Sequence, residues 1–164
     1  MSSAHKNLSQ FRTNSLPDIS GRQFALVVAE WNEDITGALY QGAVQTLLQH
    51  GAKEENIFTS LVPGSYELTF GAQRYAENTS IDAIICIGCV IKGETKHDEY
   101  ISHAVAQGLM HVSLKYNKPV IFGVLTPNTH QQAIDRAGGK HGNKGDEAAA
   151  TALLMADLQK NLNR

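Results

Sequence analysis

Four short runs rich in branched apolar residues punctuate this chain, at about Gln23 to Ala29, Asn56 to Val62, Asp82 to Ile91 and Pro119 to Leu125, with longer segments of helical period between them. Near-continuous apolar runs of this length read as strands buried on both faces, and strands that alternate with helices build a parallel sheet covered by its own crossovers. Between the first two runs, Ile35, Leu39, Ala43 and Leu47 recur every four residues as one stripe, and Gly51 supplies a C-terminal stop. Pro63-Gly64 turns the chain after the second run, and the spacing predicts a helix from about Tyr66 to Asn78. Ile101, Ala104, Val105, Gly108, Leu109 and Val112 line one face of a third helix that ends before Pro119. The result is an α/β chain with an open parallel four-stranded sheet and helices on both faces. It is one domain over residues 21–164, preceded by a polar arm over residues 1–20 that is available to pair with a neighbouring subunit.

Downstream, Thr129 to Ala137 reads as a short helix, Gly138-Gly139-Lys140-His141-Gly142 as a break, and Asn143 to Leu162 as a long terminal helix. In that last helix Thr151, Leu154, Met155, Leu158 and Leu162 make an apolar stripe suited to sheet or subunit packing. Fourteen Lys and Arg against sixteen Asp and Glu leave a net charge of -2, so no basic field is available to grip a nucleic-acid backbone. The longest apolar stretches fall short of the roughly 20 residues of a membrane helix. The first twenty residues lack the apolar core of a signal peptide, which makes the cytoplasm the expected location.

The two cysteines form a C-x-x-C, Cys86 and Cys89, a spacing shared by redox pairs and zinc half-sites. Here both lie inside Ile84 to Ile91, and strand side chains alternate faces, so an offset of three points the sulfurs to opposite sides of the sheet. They read as small core residues. The seven histidines show no metal-ligand spacing, and neither a phosphate loop nor a dinucleotide fingerprint is complete. No metal or cofactor is expected.

An open parallel sheet puts its ligand site beyond the C-terminal ends of the strands. Trp31-Asn32 follows strand one, Ser65-Tyr66-Glu67 follows strand two, and Lys92-Gly93-Glu94-Thr95-Lys96-His97 follows strand three. Together these offer a flat ring to stack a heterocycle, polar groups for a polyol, and a glycine turn into a helix N-terminus for an anion. His97 is the candidate general acid/base, because imidazole titrates near neutrality and a first helical turn is a rigid mount. Asp98 and Glu99 read as charges complementing the helix dipole. Arg136 and Lys144 flank the Gly-rich break, where spacing alone reads them as solvated helix-end charge.

From about Arg22 onward the chain resembles the 6,7-dimethyl-8-ribityllumazine synthases of riboflavin biosynthesis. The resemblance rests on Trp31-Asn32, Val62 to Leu68, Gly88 to His97, Phe122 to Thr126 and Arg136 to Gly145. It implies a flavodoxin-like three-layer fold and a cofactor-independent condensation of 5-amino-6-(D-ribitylamino)uracil with 3,4-dihydroxy-2-butanone 4-phosphate. It further implies that Trp31 stacks on the pyrimidine beside Asn32, and that the Ser65-Tyr66-Glu67 turn faces the ribityl chain. The backbone of Cys89, Val90 and Ile91 would meet the heterocycle edge, with Glu94, Thr95 and Arg136 holding the phosphate and His97 relaying protons. Phe122 would pack over the heterocycle and Lys144 would contact a ring carbonyl. In the family, Phe122, Arg136 and Lys144 come from the adjacent subunit. Self-association into pentamers is therefore expected, and the short Gly138-Gly139-Lys140 link leans toward a shell of on the order of sixty copies.

The departures from the family pattern are Thr69, Lys92 and Asp98. Lys92 keeps a charge without a bidentate fork, and Asp98 bears on the proton relay of His97. Two other readings use the same scaffold: a non-catalytic flavin or lumazine carrier, and a signalling domain. The second lacks an acidic phosphoacceptor cluster after strand one, where only Glu30, Glu33 and Asp34 occur.

Overall fold

In the computed structural model, which describes Ile19 and residues 21–162, the main sheet has four parallel strands in the order β2-β1-β3-β4. The strands are β1 (Gln23–Ala29), β2 (Ile57–Val62), β3 (Ile81–Cys89) and β4 (Val120–Leu125). Helix α1 (Glu33–Gln49) crosses from β1 to β2, α2 (Leu68–Ala76) from β2 to β3, and α3 (His97–Tyr116) from β3 to β4. A short α4 (His130–Ile134), an antiparallel hairpin of β5 (Ala137–Gly139) and β6 (Gly142–Asn143), and α5 (Lys144–Leu162) complete the chain. The polar arm expected over residues 1–20 lies outside the described residues apart from Ile19, which is buried.

The expected α/β/α layering is what the alternation of side chains produces. Phe24, Leu26, Val28, Ile85, Ile87 and Cys89 face α1 and α5, packing on Ile35, Leu39, Ala43, Leu47, Ala149 and Leu153. Ala25, Val27, Ala29, Ile84 and Cys86 face α2 and α3, packing on Leu68, Ala72, Val105 and Leu109. Cys86 and Cys89 therefore sit in different halves of the core, as an offset of three along a strand requires. One irregularity interrupts the β1–β3 register between Gln23 and Phe24, where the Asp82 carboxylate accepts the Gln23 N–H at 2.7 Å.

Three local expectations change. The Gly138 to Gly142 break is a β-hairpin, because Gly138 (φ 110°) and Gly142 (φ 74°) take the left-handed region and let Ala137 pair with Asn143. That pairing cuts the preceding helix to His130–Ile134, capped by the Thr129 hydroxyl accepting the Gln132 N–H. Of the two uses open to the α5 stripe, sheet or subunit packing, the first is removed: Met155, Leu158 and Leu162 are exposed, and Ala148, Ala149, Ala152, Leu153 and Ala156 make the packed face. The small face wins because α5 lies so close to α1 that a Cβ on Gly145 would stand 1.9 Å from the Leu39 carbonyl oxygen.

Replacing Ile85, fully buried at the middle of β3, by Ala is expected to cost about 2–5 kcal/mol in urea unfolding. Lys53→Ala, at an exposed position, should stay within about 0.5 kcal/mol of the parent in the same measurement.

Candidate active site

The strand order reverses between β1 and β3, since the crossover from β1 goes one way and the later strands go the other, and such a point leaves a crevice above the strand ends. Hydrogen bonds continue beyond the strands there. Glu30 N–H donates to the Val62 carbonyl at 2.8 Å and Trp31 N–H to that of Pro63 at 3.2 Å. Val90 N–H donates to the Leu125 carbonyl at 2.8 Å and Lys92 N–H to that of Pro127 at 3.0 Å. Across the switch point the Asn32 side chain donates from Nδ2 to the Cys89 carbonyl at 3.0 Å. Asn32 is left-handed (φ 61°), a conformation Asn tolerates better than most residues, and it starts α1 once Glu30 and Trp31 have left the strand. All four strand exits are thus tied into one rim.

The loops that leave this rim after β1, β2 and β3 carry the predicted site residues. Trp31 is 72% exposed, so its indole is a surface plate and not a core filler. Ser65 is buried at the start of a 3₁₀ turn, Ser65–Glu67, that carries Tyr66 and Glu67 outward into α2. A Cβ on Gly88 would stand 2.6 Å from the Ser65 hydroxyl, so the bare backbone of β3 is what lets this turn seat against the sheet. Sequence reasoning did not assign Gly88 that part; the signal was present as a lone glycine inside an otherwise branched strand. His97 opens α3, its N–H 3.5 Å from the Thr95 hydroxyl, with Asp98 and Glu99 in the first turn. Among the described residues no ion pair joins Asp98 to His97, and the amides of residues 93–96 donate to no backbone carbonyl. Thr69 fits its side chain against α3 where Gly108 leaves room, a Cβ there standing 2.7 Å away.

Phe122 is carried by β4, and Arg136 and Lys144 by the segments that flank the β5–β6 hairpin. Phe122 pairs in register with Cys86 on the edge strand, three residues and about 10 Å short of the level of Cys89, on the α3 side. Its ring is 44% exposed. Arg136 follows α4 and donates from Nη1 to the Gln132 carbonyl at 3.0 Å. Lys144 opens α5 and meets Glu147 Oε1 at 2.5 Å. Among the described residues none of the three has a hydrogen bond to Trp31, Ser65, Glu67 or His97.

A sequence profile of the family described as 6,7-dimethyl-8-ribityllumazine synthase matches residues 21–160. A protein of that name from Cytophaga hutchinsonii is 59% identical over 94% of this chain and 97% of its own length. One from Bacteroides fragilis is 58% identical over 87% and 99%, and one from Parabacteroides distasonis 52% identical over 96% and 99%. The chain belongs to this family. It is an enzyme of the transferase class that condenses 5-amino-6-(D-ribitylamino)uracil with 3,4-dihydroxy-2-butanone 4-phosphate to give 6,7-dimethyl-8-ribityllumazine, phosphate and water. The carrier and signalling readings give way to that assignment. Among the described residues no helix is long and apolar enough to cross a membrane, and no cluster of His, Cys, Asp or Glu could hold a metal ion.

Both cysteines, Cys89 at the end of β3 and Cys86 three residues inside it, are free thiols. Burial raises Cys86 far above the ordinary thiol range. Burial, with the nearby Asp34 charge second, pushes Cys89 up to about 11. A thiol raised on folding adds no pH dependence while both states are protonated, and the folded state loses stability as pH climbs past the unfolded value near 9. Neither thiol should react with iodoacetamide in the folded enzyme at pH 8, and both should react in urea; rapid labelling of the folded chain would contradict this.

Proposed function

We propose that the rim above β1 and β3 holds the pyrimidine substrate with the Trp31 indole stacked on the ring. Asn32 flanks the ring, Ser65 and Glu67 face the ribityl chain, and Tyr66 between them is a further substrate-binding residue. The backbone of Cys89, Val90 and Ile91 reads the heterocycle edge, and Glu94, Thr95 and Arg136 hold the phosphate of the second substrate. The observation that carries this reading is the bond from Asn32 to the Cys89 carbonyl, which ties the exposed indole's loop to the strand end that leads into His97.

In the reaction the 5-amino nitrogen attacks the butanone carbonyl, and loss of one water gives an imine. A proton then leaves carbon as the C–O bond to phosphate breaks, releasing inorganic phosphate. The enol left by that elimination takes up a proton at its terminal carbon and becomes a ketone, the ribitylamino nitrogen closes on this new carbonyl, and loss of a second water completes the ring. His97 accepts and returns protons in the imine and elimination steps. The chain needs no cofactor for these steps, because substrate carbonyls and amines supply the electrophile and nucleophile. Holding two reactants together contributes more than proton transfer does, which sets the size of the His97 effect.

The cleft is completed by a second copy, which supplies Phe122, Arg136 and Lys144. Support comes from the offset of Phe122 along the sheet, from the lack, among the described residues, of any hydrogen bond between Arg136 or Lys144 and Trp31, Ser65, Glu67 or His97, and from exposed apolar side chains. Met110 and Leu114 on α3, Leu158 and Leu162 on α5, and Leu61 on β2 are more than two-fifths exposed and available for contact with a second copy. A heterologous contact of this kind closes into a ring, here a pentamer, and the short β5–β6 hairpin favours rings gathered into a shell. The enzyme acts in the cytoplasm on small-molecule substrates, without nucleic acid or membrane as partner.

His97→Ala is expected to lower kcat by about 10²–10⁴-fold without abolishing turnover. Trp31→Ala should raise KM for the pyrimidine by about tenfold or more, the loss of a stacked ring. Mixed assemblies refolded from His97→Ala and Arg136→Ala subunits should regain about a quarter of parental activity, because that share of sites draws one intact residue from each copy. Absence of any regain, with both variants assembled, would place the site within one chain. Sedimentation giving a particle of only five subunits would remove the shell and leave the ring.

A further inference from the structure

Both halves of the Asn143 amide are engaged. Its Oδ1 accepts the Gly145 N–H at 2.8 Å, which caps the first turn of α5. Its Nδ2 donates to the Ala38 carbonyl of α1 at 2.9 Å. The first bond is what a helix start needs. The second does nothing for α5's own capping, because Ala38 lies inside another helix, and so it fixes where α5 begins relative to α1.

Two glycines make the room. A Cβ on Gly42 would stand 2.5 Å from Asn143 Nδ2 and 2.4 Å from Asp146 Oδ1, and one on Gly145 would run into the Leu39 carbonyl. The same point anchors both cations. Lys144 N–H donates to the Arg136 carbonyl at 2.8 Å, and Ala137, next to Arg136, pairs in register with Asn143. The side-chain heads are held only within their own helical neighbourhoods, Lys144 by Glu147 and Arg136 by the Gln132 carbonyl. What fixes the common base of the two is therefore Asn143.

We propose that Asn143 is a positioning residue for the condensation: without touching substrate, it sets the place from which Arg136 and Lys144 are presented to the phosphate and the pyrimidine. This inference rests on the roles proposed above for those two cations. Misplacing a binding group by a fraction of an ångström weakens binding while leaving the proton-transfer machinery on α3 intact.

Two variants reach the same amide from different sides. Asn143→Asp keeps the cap acceptor and removes the donor to Ala38. Gly42→Ala leaves the hairpin sequence untouched and drives a methyl into the amide from α1. In steady-state assays on assembled enzyme, each should raise KM for both substrates by about tenfold, the equivalent of one hydrogen bond, with kcat within about twofold of the parent. A purely structural role would lower the amount of active enzyme and leave both KM values unchanged; unchanged KM values in either variant overturn the inference. Arg136→Ala and Lys144→Ala belong in the same series. If they raise KM and the Asn143 and Gly42 variants do not, positioning alone fails; if they too leave KM unchanged, the site reading falls and takes this inference with it.

Discussion

The parallel ladder that joins β2, β1, β3 and β4 does not stop where the strands stop, and the site depends on that continuation. Backbone N–H groups of Glu30, Trp31, Val90 and Lys92 find carbonyls on the neighbouring exits, and the Asn32 amide closes the gap at the switch point. A loop rim without these bonds would carry unsatisfied backbone groups beside an apolar core, at a cost of about 1–3 kcal/mol for each buried group. Satisfying them with neighbouring main chain gives a stiff edge from which Trp31 can project into solvent. Function here is built on backbone closure first and on side chains second.

The second constraint is close approach between elements where side chains are missing. Gly88 lets the Ser65 turn lie against β3, Gly108 admits Thr69 between α2 and α3, and Gly42 with Gly145 brings α5 against α1. Each contact sits beside a residue that the proposed chemistry uses: Ser65 itself, the first turn of α2 after Glu67, and Lys144 at the head of α5. The two faces of the sheet thereby carry different parts. The α2–α3 side and the strand exits hold the plate, the polar turn and the imidazole, while the α1–α5 side holds the two cations.

Much of this was legible in the sequence. Branched runs from Gln23, Asn56, Asp82 and Pro119 marked all four strands to within two residues, most cleanly the central β1 and β3, which are buried on both faces, while the edge strand β2 keeps Thr59 and Ser60 and exposes Leu61. The offset between Cys86 and Cys89 announced that they could not meet. The α5 face was not legible from its large residues, since the decisive contact is made by alanines and a glycine whose value lies in what they lack. The hairpin at Gly138 to Gly142 hid for a related reason: glycines mark a turn without saying whether flanking residues pair. The proposed grouping of Phe122, Arg136 and Lys144 with Trp31 could not come from spacing along one chain, and it entered through the family resemblance alone.

A structure of the assembled enzyme with the pyrimidine substrate and inorganic phosphate bound tests the central claim most directly. A pyrimidine should stack on Trp31 of one copy, with the Arg136 guanidinium of an adjacent copy within about 3 Å of the phosphate, the usual reach of a charge-assisted hydrogen bond. A phosphate held by Arg136 of the same chain as that Trp31, or a pyrimidine bound away from the indole, would contradict that claim.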